Sequence, residues 1–196
     1  MVRAYHLALT CYGFWLPNDP RGSWSDFVRS FELYRAGGSA TRVYTKASLA
    51  HKPHDRGKRL KAKQALSRPA VMFNGRQARA VAQGFADYVT RNERRVFACA
   101  VMPDHVHLVV QRCEKTIEKV AEQLKARATV FLNQQGLHPC EAGSDGKRPT
   151  PWARGCWSVF LKTDASIQRA IEYVEQNPIV AGHKPQRYSW VSAFKG

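Results

Sequence analysis

Three kinds of side chain in the C-terminal half of the chain have the spacing for metal-assisted chemistry on a phosphate. His105 and His107 lie two residues apart in MPDHVHLVV. On a strand this spacing aims both imidazoles at one face and turns Val106, Leu108 and Val110 to the other. Two imidazoles on a rigid strand can hold a divalent cation as a bidentate pair. The ordinary alternative is two half-buried histidines with satisfied hydrogen bonds, and His-x-His alone does not separate the two. Its position just past the Pro103-Asp104 turn, on an otherwise apolar strand, favours the metal reading. Farther on, Ile167, Ala170, Ile171 and Val174 form a helical stripe, with Tyr173 beside it. Arg169 is one turn before Tyr173 and Asn177 one turn after. Such a tyrosine either packs with its hydroxyl at the rim or attacks a phosphate to give a covalent intermediate. With an ordinary pKa of ~10 the phenol needs positioning and a nearby cation. A metal held by the histidines would supply that charge, and the Asn177 amide oxygen can complete the coordination. Pro178 restricts Asn177, and the helix is expected to stop there.

The elements that must position these groups are legible as periodicities. Ala4–Cys11 reads as a strand. Arg76–Asn92 reads as a helix, with Ala78, Val81, Ala82, Phe85 and Val89 on one side. Val96–Met102 is a buried strand and His105–Gln111 follows at once, so the two form an antiparallel hairpin. Glu118–Asn133 is helical through Val120, Leu124, Ala128 and Phe131. The stretch from Gly136 to Gly155 is a loop, Trp157–Lys162 a strand, and Ser166–Asn177 a helix introduced by Thr163 and Asp164. The closing YSWVSAF reads as an aromatic tail that docks back. The order β–α–β–β–α–β–α defines an α+β chain close to the split βαβ arrangement of ferredoxin-like domains, a sandwich with a central antiparallel sheet. Neither an internal repeat nor a second-domain boundary is visible, so residues 1–196 read as one domain.

Charge narrows the partners. The 196 residues carry 31 Lys plus Arg against 15 Asp plus Glu, a formal balance of +16, which points to polyanions. A hydrophobic content of 44% excludes a disordered acidic chain. No apolar run reaches the ~18 residues of a membrane span and the N-terminus lacks a signal-peptide layout, so a cytoplasmic, nucleoid-associated protein is expected. Five widely spaced cysteines without a Cys-x-x-Cys pair fit neither a disulfide framework nor a zinc knuckle, and read mostly as core fillers. Residues 42–68 hold nine basic residues against Asp55 alone, half of the net charge. This basic insertion, in which LKAKQAL can form a short helix, reads either as a segment that orders on a partner or as a solvated loop.

Taken together, MPDHVHLVV, WSVFLK, AIEYVEQNPIVAGHK and the N-terminal YGFWLPNDPRGSW resemble the single-tyrosine HUH transposases, particularly the REP-associated tyrosine transposases and related IS-type enzymes. The matches run from about residue 5 to about residue 190, interrupted at the basic insertion and at the loop before Trp157. The resemblance implies the HUH endonuclease fold, with His105 and His107 as metal ligands, Tyr173 as nucleophile and Asn177 where relatives place an amide-bearing third ligand. It implies Mg²⁺ or Mn²⁺ as cofactor and single-stranded or hairpin DNA, such as REP-like palindromes, as partner. The implied activity is that of a single-stranded DNA endonuclease and strand transferase. Tyr173 would take the 5′-phosphate covalently, release a 3′-hydroxyl near the foot of a hairpin, and the reverse attack would rejoin strands.

Lys58, Arg59, Lys61 and Lys63 of the insertion, together with Arg21, Arg154 and Arg169, are the candidate DNA contacts. Phe14, Trp15 and Trp24 either stack on unpaired bases or anchor a packed loop. The insertion and the tail at about 180–196 favour a monomer over a homodimer with exchanged tyrosine helices. The other functional classes are a non-catalytic DNA- or RNA-binding protein on the same scaffold and a replication-initiator type of HUH nuclease.

Overall fold

The computed structural model describes residues 1–17, 19, 31–38 and 55–196. Arg21, Trp24 and residues 42–54 of the basic insertion lie outside the described residues. Those described form two compact units, residues 1–12 with 71–196, and residues 13–70.

The larger unit is built on a four-stranded sheet. Its strands are β1 (Ala4–Thr10), β2 (Val96–Val101), β3 (His105–Gln111) and β4 (Trp157–Leu161), in the order β2-β3-β1-β4 with every pairing antiparallel. The hairpin expected between β2 and β3 is present, closed by a 2.8 Å bond from Met102 N–H to the His105 carbonyl. Strands β1 and β3 are central and β4 and β2 flank them, the order that the split βαβ reading requires. The fold is α+β and ferredoxin-like.

Alternation along the strands sorts the two faces. Leu7, Leu9, Val106, Leu108 and Val110 are buried on one face. The helices in contact with the sheet on that side are α3 (Gly75–Arg91) and α4 (Ile117–Gln134). These two helices touch at backbone distance: a Cβ on Gly84 would lie 2.6 Å from the Ala128 Cα, so only glycine permits the approach. On the opposite face Ala4, Val109 and Leu161 pack with Ile167, Ala170, Ile171 and Val174 of α5 (Asp164–Val180). Burying Ile167 and Ile171 there stabilises the docking of α5 by about 1.5–3 kcal/mol each.

Local chemistry sets the helix limits. Asn74 and Gln77 form a capping box that begins α3, Thr116 caps α4, and Thr163 with Ser166 forms the box that begins α5. Each such cap is worth about 1 kcal/mol. One expected boundary is corrected: α5 does not stop at Pro178 but runs through it to Val180, with Pro178 buried. A proline in the last turn forfeits one helical hydrogen bond. The turn then closes through a glycine in the left-handed region, with Gly182 N–H donating to the Ile179 carbonyl and His183 N–H to the Pro178 carbonyl.

The tail docks as expected. Ser192 N–H donates to the Val96 carbonyl, Gln186 bonds both backbone groups of Val101 with its side chain, and Phe194 meets Phe97 edge-on at 5.1 Å. These contacts cover the β2 edge, which would otherwise present unpaired backbone groups.

In the smaller unit, α1 (Phe31–Gly37) packs on α2 (Arg56–Gln64). A Cβ on Gly37 would come within 2.8 Å of Ala62 Cβ. The short helix expected at LKAKQAL is α2, starting four residues earlier because Asp55 caps it through Lys58 N–H. No helix among the described residues is long and apolar enough to cross a membrane. All five cysteines are free, Cys11 and Cys99 buried and the others half-buried.

Candidate functional site

The register of the sheet gathers the histidines. Thr10 pairs with His105, Ala8 with His107 and His6 with Val109, so all three imidazoles belong to the face covered by α5. His107 is buried and its Nδ1 lies 3.1 Å from His6 Nε2. His105, half-buried at the start of β3, has its Nδ1 2.6 Å from Asp104 Oδ1. The His105 and His107 ring centroids are 4.8 Å apart. Tyr173 of α5 is half exposed and sets its ring edge-on to His107 at 5.4 Å and to His6 at 5.5 Å. Trp157, at the start of β4, closes the other side of His6 at 5.3 Å. His105, His107 and Tyr173 are therefore brought together from two elements 66 residues apart, as His107 and Tyr173 count.

Burial fixes the charge of the inner pair. Desolvation lowers the His6 pKa to about 4 and holds His107 well below the usual histidine range, the neighbouring His6 and His105 adding to the effect. Both rings are neutral at pH 7, so one donates its N–H and the other accepts. A neutral imidazole is the form that can ligate a cation.

The donor set bears on which cation fits. Asp104 engages His105 at Nδ1 and His6 engages His107 at Nδ1, partners that orient the two rings. Among the described residues no group of three or more His, Cys, Asp and Glu is arranged to hold a metal. Two neutral imidazoles on one face are a donor set that fits a divalent cation accepting nitrogen ligands. Asn177 is half-buried one turn beyond Tyr173, and its backbone carbonyl accepts from Ala181 N–H. Among the described residues no hydrogen bond joins its side chain to His105 or His107.

The candidate DNA contacts divide between the units. Arg169 and Arg154 are exposed in the larger one, Arg169 one turn before Tyr173 and Arg154 in the loop that leads into β4. Lys58, Lys61 and Lys63 are exposed and Arg59 half-buried on α2 of the smaller unit, where they surround the buried Ala62. Phe14 and Trp15 are half-buried.

Three residues that the sequence reading did not enlist belong to this site. His6 and Trp157 wall it, and Asp104 orients His105. A polar ring in the apolar run AYHLALT was the available signal for His6, but its face follows only from the register with β3. Lys125 is a fourth, indirect contributor. Buried in α4, it donates to the Ala153 carbonyl at 2.8 Å and to that of Gly155, pinning the loop that carries Arg154.

Fold and site together define a ferredoxin-like α+β domain with two strand histidines facing a helix-borne tyrosine across one side of the sheet. Residues 66–177 match the family model described as "Transposase IS200 like". The chain belongs to the IS200-like transposase family. Among solved structures, it is similar to a REP-associated tyrosine transposase bound to a REP hairpin, with 10% identity and a TM-score of 0.46 over 99% of this chain and 93% of that one. It is also similar to a candidate transposase from Deinococcus radiodurans R1, with 13% identity and a TM-score of 0.40 over 93% of each chain. No curated protein sequence matches it.

Proposed function

We propose that the chain cuts and rejoins single-stranded DNA near hairpins, through a covalent link between Tyr173 and a 5′-phosphate. The observation that carries this reading is the Tyr173 ring resting on His107 and His6, with His105 alongside on the same face. Membership of a transposase family supports a DNA substrate, and the +16 balance supplies the field that holds it.

In this reading α5 presents the phenol where a phosphodiester can lie over the histidines. The Tyr173 oxygen, its proton passing to solvent, forms the new bond to phosphorus. The bond from phosphorus to the 3′ oxygen breaks, and that oxygen leaves as a protonated hydroxyl. The energy of the diester is kept in the phosphotyrosine, so a 3′-hydroxyl can reverse the step with no further energy source. His105 and His107 would hold Mg²⁺ or Mn²⁺, Asn177 adding an amide oxygen, and the bound ion would polarise the phosphate oxygens and stabilise the charge that develops on them. Asp104 and His6 keep the two imidazoles oriented. Arg169 and Arg154 would neutralise phosphates of the strand, and Lys58, Arg59, Lys61, Lys63 and Arg21 are further candidate DNA contacts.

The test is incubation with hairpin-bearing single-stranded DNA and Mn²⁺, followed by a denaturing gel. A covalent adduct is expected with the native chain and none with Tyr173→Phe; an adduct that persists in Tyr173→Phe refutes the nucleophile. Replacing His105 and His107 by Ala is expected to stop cleavage while leaving most of the phosphate-driven binding. Equal collapse of both would make the pair structural.

A further inference from the structure

At the end of the sheet remote from His105, on the same face, lies a cavity of about 840 Å³. Arg3, Arg95, Arg112 and Lys195 line it, and Phe97 and Phe194 form an apolar wall. The three arginines come from sequence positions far apart, and the strand order aligns them. Arg95 precedes β2, Arg112 follows β3 and Arg3 precedes β1. Gln111 N–H donates to the Arg95 carbonyl at 2.9 Å, and Arg112 N–H to the Arg3 carbonyl at 2.9 Å. With neighbouring strands about 4.8 Å apart, the arginine backbones span about 10 Å. Lys162 continues the row at the end of β4, where Arg3 N–H donates to the Leu161 carbonyl.

Two carboxylates stand against these cations. Asp164 pairs with Arg3, and Glu114 lies at the cavity rim. Arg95, Arg112, Lys162 and Lys195 have no ion pair in the structure among the described residues. Arg3 and Arg112 lie opposite one another on adjacent strands, whereas Arg95 lies opposite Gln111; like charges so paired are destabilising, and an anion placed between them reverses the sign. The cavity therefore gathers exposed cations beside an apolar wall.

We infer that this arginine row is a second contact for the single-stranded DNA, taking one or two phosphodiesters of the strand outside the histidine–tyrosine cluster. The inference rests on the DNA-cutting reading above and adds where the strand is held. From His107 to Arg112 is five residues of strand, about 17 Å. At about 3.4 Å per stacked nucleotide, that separates the held phosphates from the reacting one by about five nucleotides. The row thus grips the strand at a distance and leaves bond selection to the other end of the sheet.

The experiment compares the salt dependence of binding to a labelled single strand of about 20 nucleotides, long enough to span both sites. Arg95→Gln with Arg112→Gln removes two cations of the row. Lys147→Gln with Arg148→Gln removes two exposed cations of the 136–155 loop as a control. Every phosphate of a single strand that is no longer neutralised reduces the slope by about 0.7, so the first pair is expected to lower it by about 0.7–1.4. At ~0.1 M salt this corresponds to about 5- to 25-fold weaker binding. The control pair is expected to leave the slope nearly unchanged. An equal change in both pairs, or none in the first, overturns the inference. A melting temperature raised by inorganic phosphate in the native chain but not in the first pair, with strand binding identical in both, would make the cavity a free-phosphate site and overturn it as well. The adduct assay separates this inference from the reading it rests on. Adduct formation without a slope change refutes the row alone, whereas a slope change without any adduct refutes the Tyr173 reading alone.

Discussion

His6 gives the sharpest test of how the site is held, because its ring touches three others and is exposed to solvent over only 7% of its surface. Replacing it by Phe keeps the aromatic edges against Trp157 and Tyr173 and removes only the 3.1 Å hydrogen bond to His107 Nδ1. A buried polar nitrogen is then left without its partner, at a cost of about 1–3 kcal/mol to folding. His6→Ala removes the ring packing too, which adds about 0.5–1.5 kcal/mol per aromatic pair. The functional effect should exceed what the stability change suggests. A ligating imidazole released from its orienting partner typically loses about 10- to 100-fold in metal affinity or activity. The expected outcome for His6→Phe is a folded protein whose Mn²⁺ affinity, read by electron paramagnetic resonance of the free ion, falls within that range. The rate of adduct formation should recover in part at saturating Mn²⁺. Equal affinity and equal rate in the native and His6→Phe chains would refute the reasoning, since burial and backbone alone would then be orienting His107.

Three further outcomes follow from the packing and charge. Gly84→Ala should destabilise by about 1–3 kcal/mol despite the better helix propensity of Ala, because its Cβ meets the α4 backbone at Ala128; a melting temperature equal to or above the native one would contradict the close approach. Burial lowers the Lys125 pKa to about 8, so between about pH 8 and 10.5 the unfolded chain binds more protons and stability should rise with pH by up to about 3 kcal/mol. Cys11 and Cys99, whose thiols burial pushes up, oppose this slope in any variant, so the difference between the native chain and Lys125→Met is the quantity to measure by urea unfolding, and a difference independent of pH would refute the assignment. Neutralising Lys58, Lys61 and Lys63 together should reduce the salt slope of DNA binding by about 0.7–0.9 for each phosphate they hold, and an unchanged slope in filter binding would leave α2 as a solvated face.

The elements of the fold were legible where one periodicity ran without interruption. The β2–β3 hairpin, the α3 and α4 stripes and the shared face of His105 and His107 all follow from local pattern. What was not legible depends on pairing between distant strands. Nothing in AYHLALT says that His6 faces the same way as His107; the register of β1 against β3 decides it. Arg3, Arg95 and Arg112 are unremarkable surface arginines until the strand order sets them side by side. The buried role of Lys125 has no local signal, because the carbonyls that receive it come from the loop after residue 150. Pro178 misled for the opposite reason: the local rule that a proline ends a helix was outweighed by burial of its ring in the last turn.

The central position of β1 links the two ends of the sheet. His6 on β1 reaches the histidine–tyrosine cluster and Arg3, just before β1, the arginine row, and both depend on a single register with β3 and β4. A slip of one residue would turn His6 into the α3–α4 face and bring Leu7 against Tyr173, exchanging a polar ring for an apolar side chain on both faces at once. The register is held by burial on the face opposite to chemistry, where Leu7 and Leu9 are fully enclosed. Core packing under α3 and α4 therefore sets the geometry of groups it never touches. Leu7→Ala would leave a cavity costing about 2–5 kcal/mol. If register is what positions the site, that loss should appear in the temperature at which adduct formation fails, with the rate at low temperature unchanged. A large rate loss at a temperature where the variant is still fully folded would mean that the face opposite the site shapes it directly, rather than through the register of β1.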